Sequence, residues 1–225
     1  MTTHIALLGH PVSHSLSPRM QNAAFEAAGL DWRYAAFDVE DPAAAIAALQ
    51  VLGFAGANVT IPHKRAAAAV CDEAEGEAVN TLVFRDGRVL GFNTDQEILA
   101  GIDARQACLI GGGGAALALG PALPADTRVF TRSGEWPPDA TGCDLVVNAT
   151  PVMDDVLVEL EPAMTVVDLV YGGSDTALVA AARALGCMVI DGREALVRQG
   201  AASFRIWTGV EAPVDVMRTS LGLPA

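Results

Sequence analysis

The sequence predicts an α/β protein built from two domains, and two patterns support this prediction. Short runs rich in β-branched and aliphatic residues alternate with Ala-rich runs of helical length, which is typical of parallel sheets covered by helices. Near the middle of the chain, one of the β-like runs leads directly into a glycine cluster, Gly111–Gly114. With 225 residues, of which 52% are hydrophobic, the chain can bury one large core or two compact ones.

The individual elements follow from the length and spacing of these runs. The predicted strands are Ile5–Leu8, Tyr34–Phe37, Ala57–Thr60, Ala107–Ile110, Arg128–Thr131, Leu145–Asn148, Thr165–Asp168 and Cys187–Ile190. The predicted helices are Pro18–Ala28, Pro42–Leu52, Gly114–Leu123, Asp175–Leu185 and Ala195–Trp207. Because strands and helices alternate almost throughout, most of the strands are expected to be parallel.

One pair of runs departs from this alternation. Val79–Phe84 and Val89–Phe92 are separated only by Arg85-Asp86-Gly87, and an Asp-Gly turn predicts an antiparallel hairpin. A domain boundary is expected soon afterwards, near Asp95–Arg105. No linker rich in Pro, Gly or Ser is found there, so the two domains are expected to be joined by helix, with a cleft between them.

The glycine cluster fits a dinucleotide-binding pattern. Gly111, Gly113 and Ala116 occupy the three defined positions of G-x-G-x-x-A, between a predicted strand and a predicted helix. In this pattern the first glycine permits a tight turn, the second lets the backbone approach a pyrophosphate, and the small third residue lets helix and strand pack closely. The phosphate then lies at the helix N-terminus. The second domain is therefore predicted to be Rossmann-like.

The next predicted strand indicates which dinucleotide is bound. Proteins that bind NAD usually carry an acid about 20 residues after the first glycine, where it bonds the ribose 2′-hydroxyl. Here Arg132 occupies that region, and an arginine can hold a 2′-phosphate through paired hydrogen bonds. This favours NADP, while Glu135 nearby leaves NAD open as an alternative.

The stretch after Arg132 is short for a parallel crossover. Only Ser133–Thr141 precedes the next strand, and it is rich in Pro, Gly and charge. Parallel strands normally need a connection of about a dozen residues or more, usually a helix. The usual crossover helix is therefore expected to be absent or reduced, and the adenosine side of the cofactor site to be abbreviated.

Charge and composition exclude several classes of function. The formal net charge is −13, with no basic stripe to neutralise phosphates, so nucleic acid is not an expected partner. No apolar run reaches the roughly 18 residues of a membrane span, and no secretory signal is recognisable, so a cytoplasmic location is expected. The cysteines form no C-x-x-C pair and the histidines show no ligand spacing, so no metal site is predicted. These residues are Cys71, Cys108, Cys143, Cys187, His4, His10, His14 and His63.

Two charged residues are candidates for proton transfer. Lys64 follows a proline-set turn after a short apolar strand, and Asp95 lies at the end of a later predicted strand. A lysine and an aspartate brought together can move a proton to or from a hydroxyl. Taken alone the pair is weak evidence, because most such residues are solvated surface charges.

Two serines, Ser15 and Ser17, lie just before the first predicted helix. Ser17 suits the N-cap and Pro18 the first turn. Capping explains Ser17 but leaves Ser15 unexplained, and two hydroxyls at a helix N-terminus could hold a carboxylate. Both interpretations stay open on these residues alone.

Together, these motifs resemble the shikimate dehydrogenase family, in the family's order and across nearly the whole chain. The stretches that carry the resemblance are Gly9–Pro18, Asn58–Lys64, Ala78–Leu82, Gly91–Asp95, Gly111–Ala115, Asn148–Pro151, Asp168–Tyr171 and Gln199–Ala201. The resemblance implies a substrate-binding catalytic domain over residues 1–98, completed by C-terminal helices at about 203–225. It implies an NADP-binding, Rossmann-like domain over residues 99–202.

The resemblance also implies a role for each site residue. Ser15 and Ser17 would bind the substrate carboxylate. The ring hydroxyls would be bound by Thr60, Asn80 and Gln199, and Tyr171 would close the pocket. Lys64 and Asp95 would be the catalytic pair. The cofactor would be bound by Gly111, Gly113, Gly114, Ala115, Thr131, Arg132, Ser133, Leu169 and Gly192. Simpler structural roles remain open for four of these residues. Asn80 could cap the hairpin, Tyr171 could be a core residue, Gln199 could lie on a helix surface, and Gly192 could be an ordinary turn glycine.

The implied activity is the reversible reduction of 3-dehydroshikimate to shikimate by NADPH, in chorismate and aromatic amino acid biosynthesis. One alternative is a quinate/shikimate dehydrogenase that uses NAD or NADP. The other is a catalytically weakened binding paralogue, against which the intact Lys64–Asp95 pair argues. A monomer and a homodimer are both compatible with the sequence.

Overall fold

The computed structural model of the protein describes residues 1–172 and 174–225. Within these ranges the chain folds as two compact units. The first unit contains Met1–Glu97 and Val197–Ala225, and the second contains Ile98–Leu196. Both contain a sheet with parallel strands, so the predicted α/β class is confirmed.

The first unit is organised around a six-stranded sheet of order β2-β1-β3-β5-β6-β4. Its strands are β1 (Thr3–Gly9), β2 (Trp32–Asp38), β3 (Gly56–Val59), β4 (Glu73–Ala74), β5 (Thr81–Arg85) and β6 (Arg88–Phe92). β1 is parallel to both β2 and β3, while β5 and β6 form the predicted antiparallel hairpin. β5 also runs antiparallel to β3. The edge strand β4 has only two residues, too few for a sequence pattern to mark it.

The second unit contains an all-parallel sheet of order β11-β10-β9-β7-β8 within its described residues. Its strands are β7 (Ala107–Ile110), β8 (Arg128–Phe130), β9 (Leu145–Asn148), β10 (Thr165–Asp168) and β11 (Met188–Ile190). Residues 131–144 between β8 and β9, all of them described, contain no helix. This confirms the expected loss of the crossover helix.

The helices lie where the Ala-rich runs predict them, with two additions and shifted ends. They are α1 (Ser17–Ala27), α2 (Pro42–Val51), α3 (Lys64–Ala69), α4 (Gly114–Leu119), α5 (Ala177–Ala184), α6 (Gly192–Thr208) and α7 (Val214–Ser220). α3 was not predicted. α4 is shorter than expected and passes into a 3₁₀ turn over Gly120–Ala122, because Pro121 lacks the N–H that an α-helix needs. A second 3₁₀ helix covers Thr94–Leu99.

The start of α1 corrects one prediction. Ser17 was predicted to be the N-cap, but it is the first residue of the helix, and the N-cap position belongs to Leu16. The serine that satisfies a free backbone donor is Ser15, whose hydroxyl accepts a hydrogen bond from the Ser17 N–H at 3.2 Å. Ser15 therefore has a local hydrogen-bond partner, although it is not the N-cap of α1.

Each unit has its own apolar core. In the first unit, β1 contributes Ile5–Leu8, which are almost fully buried. This is expected of a parallel strand in a sheet that is covered on both faces. In the second unit, separate apolar clusters lie on the two faces of the sheet, one containing Leu109 and Val147 and the other Ile110 and Val146. None of the helices in the described ranges is long and apolar enough to cross a membrane.

Candidate active site

Several loops of the first unit meet at one edge of its sheet. β1 and β3 are parallel, so both end there, and the His10 N–H donates to the Ile61 carbonyl at 3.1 Å. The hairpin brings in residues from both of its strands, because Asn80 precedes β5 and its N–H donates to the Phe92 carbonyl at 3.0 Å. Residues far apart in the sequence therefore converge at this edge.

Lys64 and Asp95, 31 residues apart, form a buried ion pair at this edge. Lys64 is the first residue of α3 and Asp95 lies in the 3₁₀ helix that follows β6. The Lys64 Nζ donates directly to the Asp95 Oδ2, and only 11% and 8% of the two side chains are exposed. Lys64 is also the single lysine of the chain. The structure thus brings together the two residues that the sequence suggested for proton transfer.

Asn80 fixes the other oxygen of this carboxylate. Its Nδ2 donates to the Asp95 Oδ1 at 2.7 Å, and its Oδ1 accepts from the backbone N–H of Thr94 at 2.9 Å. A backbone N–H can only donate, so the Asn80 carboxamide has one consistent orientation. The same Nδ2 makes a longer contact, 3.5 Å, with the Oε1 of Gln199. Asn80 therefore contacts two other predicted site residues instead of serving only as a hairpin cap.

The remaining predicted residues of the first unit lie on the loops after β1 and β3. Ser17 is buried, while Ser15 and Thr60 are half-buried. Thr60 packs against Gly9, where a Cβ atom would come within 2.5 Å of the Thr60 methyl group. A glycine at the end of β1 is therefore needed for Thr60 to occupy its position.

An ion pair ties the serine-bearing loop to the end of β2. His10 Nδ1 lies 2.5 Å from the Asp38 Oδ1, and the Val12 N–H donates to the Asp38 Oδ2 at 3.3 Å. The hydrogen bond to the Asp38 carboxylate raises the pKa of His10, and the same bond lowers the pKa of Asp38. The loop that carries Ser15 is thus held by a pair that titrates.

In the second unit, the glycine-rich turn after β7 has the form that a dinucleotide requires. Gly111 has a φ of +117°, which favours glycine, and a Cβ there would lie 3.0 Å from the backbone of Ala149. A Cβ at Gly113 would meet no atom within 4 Å. The backbone of Gly113 therefore faces open space, as a backbone that receives a pyrophosphate must. Gly114 and Ala115 follow as the first residues of α4.

A cavity of about 250 Å³ lies beside this turn. Its walls include Gly111, Gly112, Thr131, Arg132, Trp136 and Thr150. The guanidinium carbon of Arg132 lies 5.7 Å from the centre of the Trp136 ring, a cation–π distance. Ser133 follows on the same loop, with its hydroxyl 3.5 Å from that of Thr131. The sequence motifs did not indicate Trp136. Its one distinguishing feature in the sequence is an aromatic side chain in a stretch rich in Pro and charged residues.

A buried polar network supports the loop that carries Leu169 and Tyr171. The Asp168 carboxylate accepts from Asn148 Nδ2 at 3.0 Å and from the Thr176 hydroxyl at 2.5 Å. Burial raises the pKa of Asp168, against the opposing effect of these hydrogen bonds. Leu169 and Tyr171 are half-buried.

Gly192 is explained by a close approach of two backbones. It is the first residue of α6, and a Cβ there would overlap with the carbonyl oxygen of Val170. The alternative that it is an ordinary turn glycine is therefore wrong. Its predicted contact with a nicotinamide stays a prediction, as do the predicted roles of Leu169 and Tyr171.

Comparisons with known proteins agree with these features. Residues 7–82 match the family model described as shikimate dehydrogenase substrate binding domain, and residues 192–221 match the shikimate 5′-dehydrogenase C-terminal domain. A shikimate dehydrogenase (NADP(+)) of Moorella thermoacetica is 39% identical over 95% of this chain and 90% of its own length.

Solved structures show the same similarity. Shikimate 5-dehydrogenase from Thermus thermophilus, in complex with NADP(H) and shikimate, is 32% identical with a TM-score of 0.82, over 97% of this chain and 98% of that one. Quinate dehydrogenase from Corynebacterium glutamicum, in complex with NAD, is 27% identical with a TM-score of 0.82, over 98% of each chain. The extent and identity of these matches show that the chain belongs to the shikimate dehydrogenase family.

Proposed function

We propose that this protein is an NADP-dependent shikimate dehydrogenase, which interconverts 3-dehydroshikimate and shikimate on the route to chorismate and the aromatic amino acids. The observation that carries the proposal is the buried Lys64–Asp95 pair, aligned by Asn80 at the edge of the first sheet. Burying two charges is costly unless each is paired and hydrogen-bonded. A buried ion pair of this kind is therefore expected at a site where the two groups take part in proton transfer.

Lys64 and Asp95 divide the proton chemistry between them. In the reducing direction, the Lys64 ammonium donates a proton to the ketone oxygen as it becomes a hydroxyl. In the oxidising direction, the neutral amine accepts that proton. Asp95 orients the reacting hydroxyl and holds the Lys64 Nζ in position. Since Asn80 engages one of its oxygens and Lys64 the other, the carboxylate has little freedom to turn.

The substrate would be recognised by groups on the surrounding loops. Ser15 and Ser17 would bind its carboxylate and Thr60, Asn80 and Gln199 its ring hydroxyls, while Tyr171 would close the pocket. Asn80 has two amide hydrogens. One is committed to Asp95, and among the described residues the shortest contact of the second is that with Gln199, at 3.5 Å. That second hydrogen can serve a substrate hydroxyl.

The second unit would bind NADP, which supplies the hydride when it is bound. Gly111, Gly113, Gly114 and Ala115 would hold the pyrophosphate, and the open space over Gly113 fits this role. The loop Thr131–Ser133 would hold the 2′-phosphate, with Arg132 as its cation, and Leu169 and Gly192 would lie near the nicotinamide. Despite the missing crossover helix, a cavity walled by an arginine and an aromatic ring remains beside the turn.

In terms of domains, we propose that residues 1–98 and the C-terminal helices at about 203–225 bind the substrate. Residues 99–202 would bind the cofactor. This places both members of the catalytic pair in the substrate-binding domain.

A spectrophotometric assay tests the whole proposal. Absorbance of the reduced nicotinamide is followed with shikimate or quinate, each combined with NADP or NAD. We expect the highest kcat/KM with shikimate and NADP. Activity with quinate alone would contradict the proposal and support a quinate dehydrogenase. Binding of shikimate without turnover at saturating NADP would support a weakened binding paralogue.

A further inference from the structure

A fully buried serine lies at the centre of a polar cluster behind the catalytic pair. Ser203, on α6, is 0% exposed. Its Oγ lies 3.1 Å from the Asn58 Nδ2, 2.8 Å from the Thr81 hydroxyl and 3.1 Å from the Thr94 hydroxyl. We call Asn58, Thr81, Thr94 and Ser203 the Ser203 cluster. Nothing in the sequence patterns singled out Ser203.

The hydrogens of the cluster can be assigned consistently. A serine hydroxyl has one hydrogen and two lone pairs. The hydrogen goes to the Gln199 carbonyl oxygen at 3.1 Å, because that oxygen can only accept. The lone pairs then accept from the Asn58 Nδ2 and from the Thr94 hydroxyl. This leaves the Thr81 hydroxyl to donate to the Asn80 Oδ1 at 3.1 Å. Every member is satisfied, as buried polar groups require.

The cluster leads directly to the catalytic carboxylate. Two donors surround the Asn80 Oδ1: the Thr94 N–H at 2.9 Å and the Thr81 hydroxyl at 3.1 Å. These donors turn the Nδ2 of Asn80 towards Asp95. The two hydrogens of the Asn58 Nδ2 reach Ser203 and Thr81. A continuous path of hydrogen bonds therefore leads from Ser203 through Thr81 and Asn80 to Asp95, and Asp95 holds Lys64.

Stability alone does not account for a polar cluster at this position. Apolar side chains of similar size would fill the same space without burying hydroxyls and a carboxamide, and such replacements are often neutral or stabilising. What a fully satisfied network adds is a fixed orientation of its members. Here the member that gains a fixed orientation is Asn80.

We propose that Ser203 is a positioning residue, which orients Asn80, and through it Asp95 and Lys64, from the buried side of α6. The inference rests on the proposed function for its kinetic consequences. It assigns to α6 a part in setting the geometry of proton transfer.

The test compares variants that differ in one hydroxyl group. Ser203→Ala and Thr81→Val remove hydroxyls of the cluster, while Thr81→Ser keeps one. Thr208→Val is the matched control, because the Thr208 hydroxyl makes a similar bond on the same helix, to the Phe204 carbonyl at 2.8 Å, away from the cluster. Urea unfolding of each variant shows that it is folded under the assay conditions.

The expected kinetic result is a loss of turnover in the variants that remove a hydroxyl group of the Ser203 cluster, and in no other variant. We expect kcat to fall by roughly 10-fold in Ser203→Ala and in Thr81→Val, with a smaller change in the KM for NADP, since a misaligned group acts on the chemical step. Thr81→Ser should restore kcat to within about twofold of the wild type, and Thr208→Val should leave it unchanged. If Ser203→Ala does not fold, the two Thr81 variants still decide the question.

A second measurement is independent of turnover. Because Lys64 is the single lysine, protein labelled with ¹³Cε-lysine gives one side-chain signal, which reports the surroundings of its ammonium group. We expect this signal to move in Ser203→Ala and Thr81→Val and to stay in place in Thr208→Val. Wild-type kcat in Ser203→Ala, or a loss of kcat with an unmoved signal, overturns the inference. A wild type that turns over no substrate refutes the proposed function, and the lysine signal then still tests the positioning.

Discussion

Asn80 donates a 2.7 Å hydrogen bond to the Oδ1 of Asp95, the oxygen opposite the one that receives Lys64. The carboxylate is thus bound on both sides by groups from different elements. Asn80 comes from the start of the hairpin and Lys64 from the start of α3. This arrangement fixes the direction in which Asp95 can meet a third partner, which is the requirement for orienting a substrate hydroxyl.

Replacing Asn80 should therefore impair turnover in a graded way. Asn80→Ala removes the donor to Asp95, and we expect kcat to fall by roughly 10-fold. Asn80→Asp keeps the size of the side chain but places a second carboxylate against the first. We expect a loss of about 100-fold, since the repulsion also disturbs the pairing with Lys64. Steady-state kinetics with shikimate measures both, and an Asn80→Asp enzyme as active as Asn80→Ala contradicts the account.

Removing one or both charges of the Lys64–Asp95 pair should affect stability and activity differently. Lys64→Met leaves a buried carboxylate unpaired, which costs about 3–5 kcal/mol of unfolding free energy. Lys64→Met/Asp95→Asn removes both charges and should recover most of that stability. Activity should not recover, because the proton donor is gone, and kcat should stay lower by a factor of about 100 or more. Urea unfolding gives the stabilities, and Arg65→Met, at the exposed neighbouring position, is the control.

The fold was predictable where the sequence carries local periodicity. The strands, the Asp-Gly hairpin and most helices follow from patterns within a few residues. α3 was missed, since six residues are too few to show helical periodicity. The start of α1 was misplaced by one residue, because Ser17 directly before Pro18 matches the usual N-cap pattern, whereas Leu16, which occupies the N-cap, does not.

The candidate site was predictable only in part, for a different reason. Arg132 stands out because it occupies the region where proteins that bind NAD usually carry an acid, and Lys64 and Asp95 stand out through the family motifs that contain them. Ser203 does not stand out, because its partners Asn58 and Thr81 are 145 and 122 residues away. A lone serine in a helix has no local pattern that indicates burial. Contacts of this kind depend on the tertiary fold, and local sequence patterns do not predict them.

The His10–Asp38 pair should make the serine-bearing loop sensitive to pH. The pKa of His10 is raised by its bond to Asp38, so its contribution to stability is complete below the unfolded value near 6.5 and is lost as the pH rises through the folded pKa. The pKa of Asp38 is lowered, so its contribution is lost in acid. The pair therefore stabilises the loop between these two limits.

His10→Asn tests this dependence. The Tm of the wild type should exceed that of the variant at pH 5.5, and the difference should shrink as the pH rises through the raised, folded pKa of His10. His14→Asn, at an exposed position on the same loop, should show no such trend. A difference in Tm that is constant from pH 5.5 to 8.5 would mean that the bond does not depend on the charge of His10.

Arg132 should decide between NADP and NAD. A guanidinium makes charge-assisted, paired hydrogen bonds to a phosphate, so Arg132→Ala should weaken NADP binding by about 10- to 100-fold and leave NAD binding nearly unchanged. Arg132→Lys should recover only part of the loss, because an ammonium lacks the planar fork that matches a phosphate and stacks on an aromatic ring such as Trp136. Calorimetric titration with each nucleotide measures the affinities. Equal losses for NADP and NAD would place the 2′-phosphate elsewhere.

Gly113 should separate the needs of the cofactor from those of the fold. A Cβ at this position meets no protein atom within 4 Å, and the φ of −82° suits alanine. Gly113→Ala should therefore change the unfolding free energy by less than about 1 kcal/mol. If the pyrophosphate occupies that space, the added methyl group displaces it, and NADP affinity should fall by 10-fold or more, on the order of 1.4 kcal/mol.

Two further glycines complete this comparison. Gly120 also faces open space but lies at the far end of α4, so Gly120→Ala should preserve NADP binding. Gly111 has a φ of +117° and sits against the backbone of Ala149, so Gly111→Ala should lower stability as well as binding. Unchanged NADP affinity in Gly113→Ala would show that the pyrophosphate does not cross this turn, because no other effect of the methyl group could compensate for a steric overlap with the ligand.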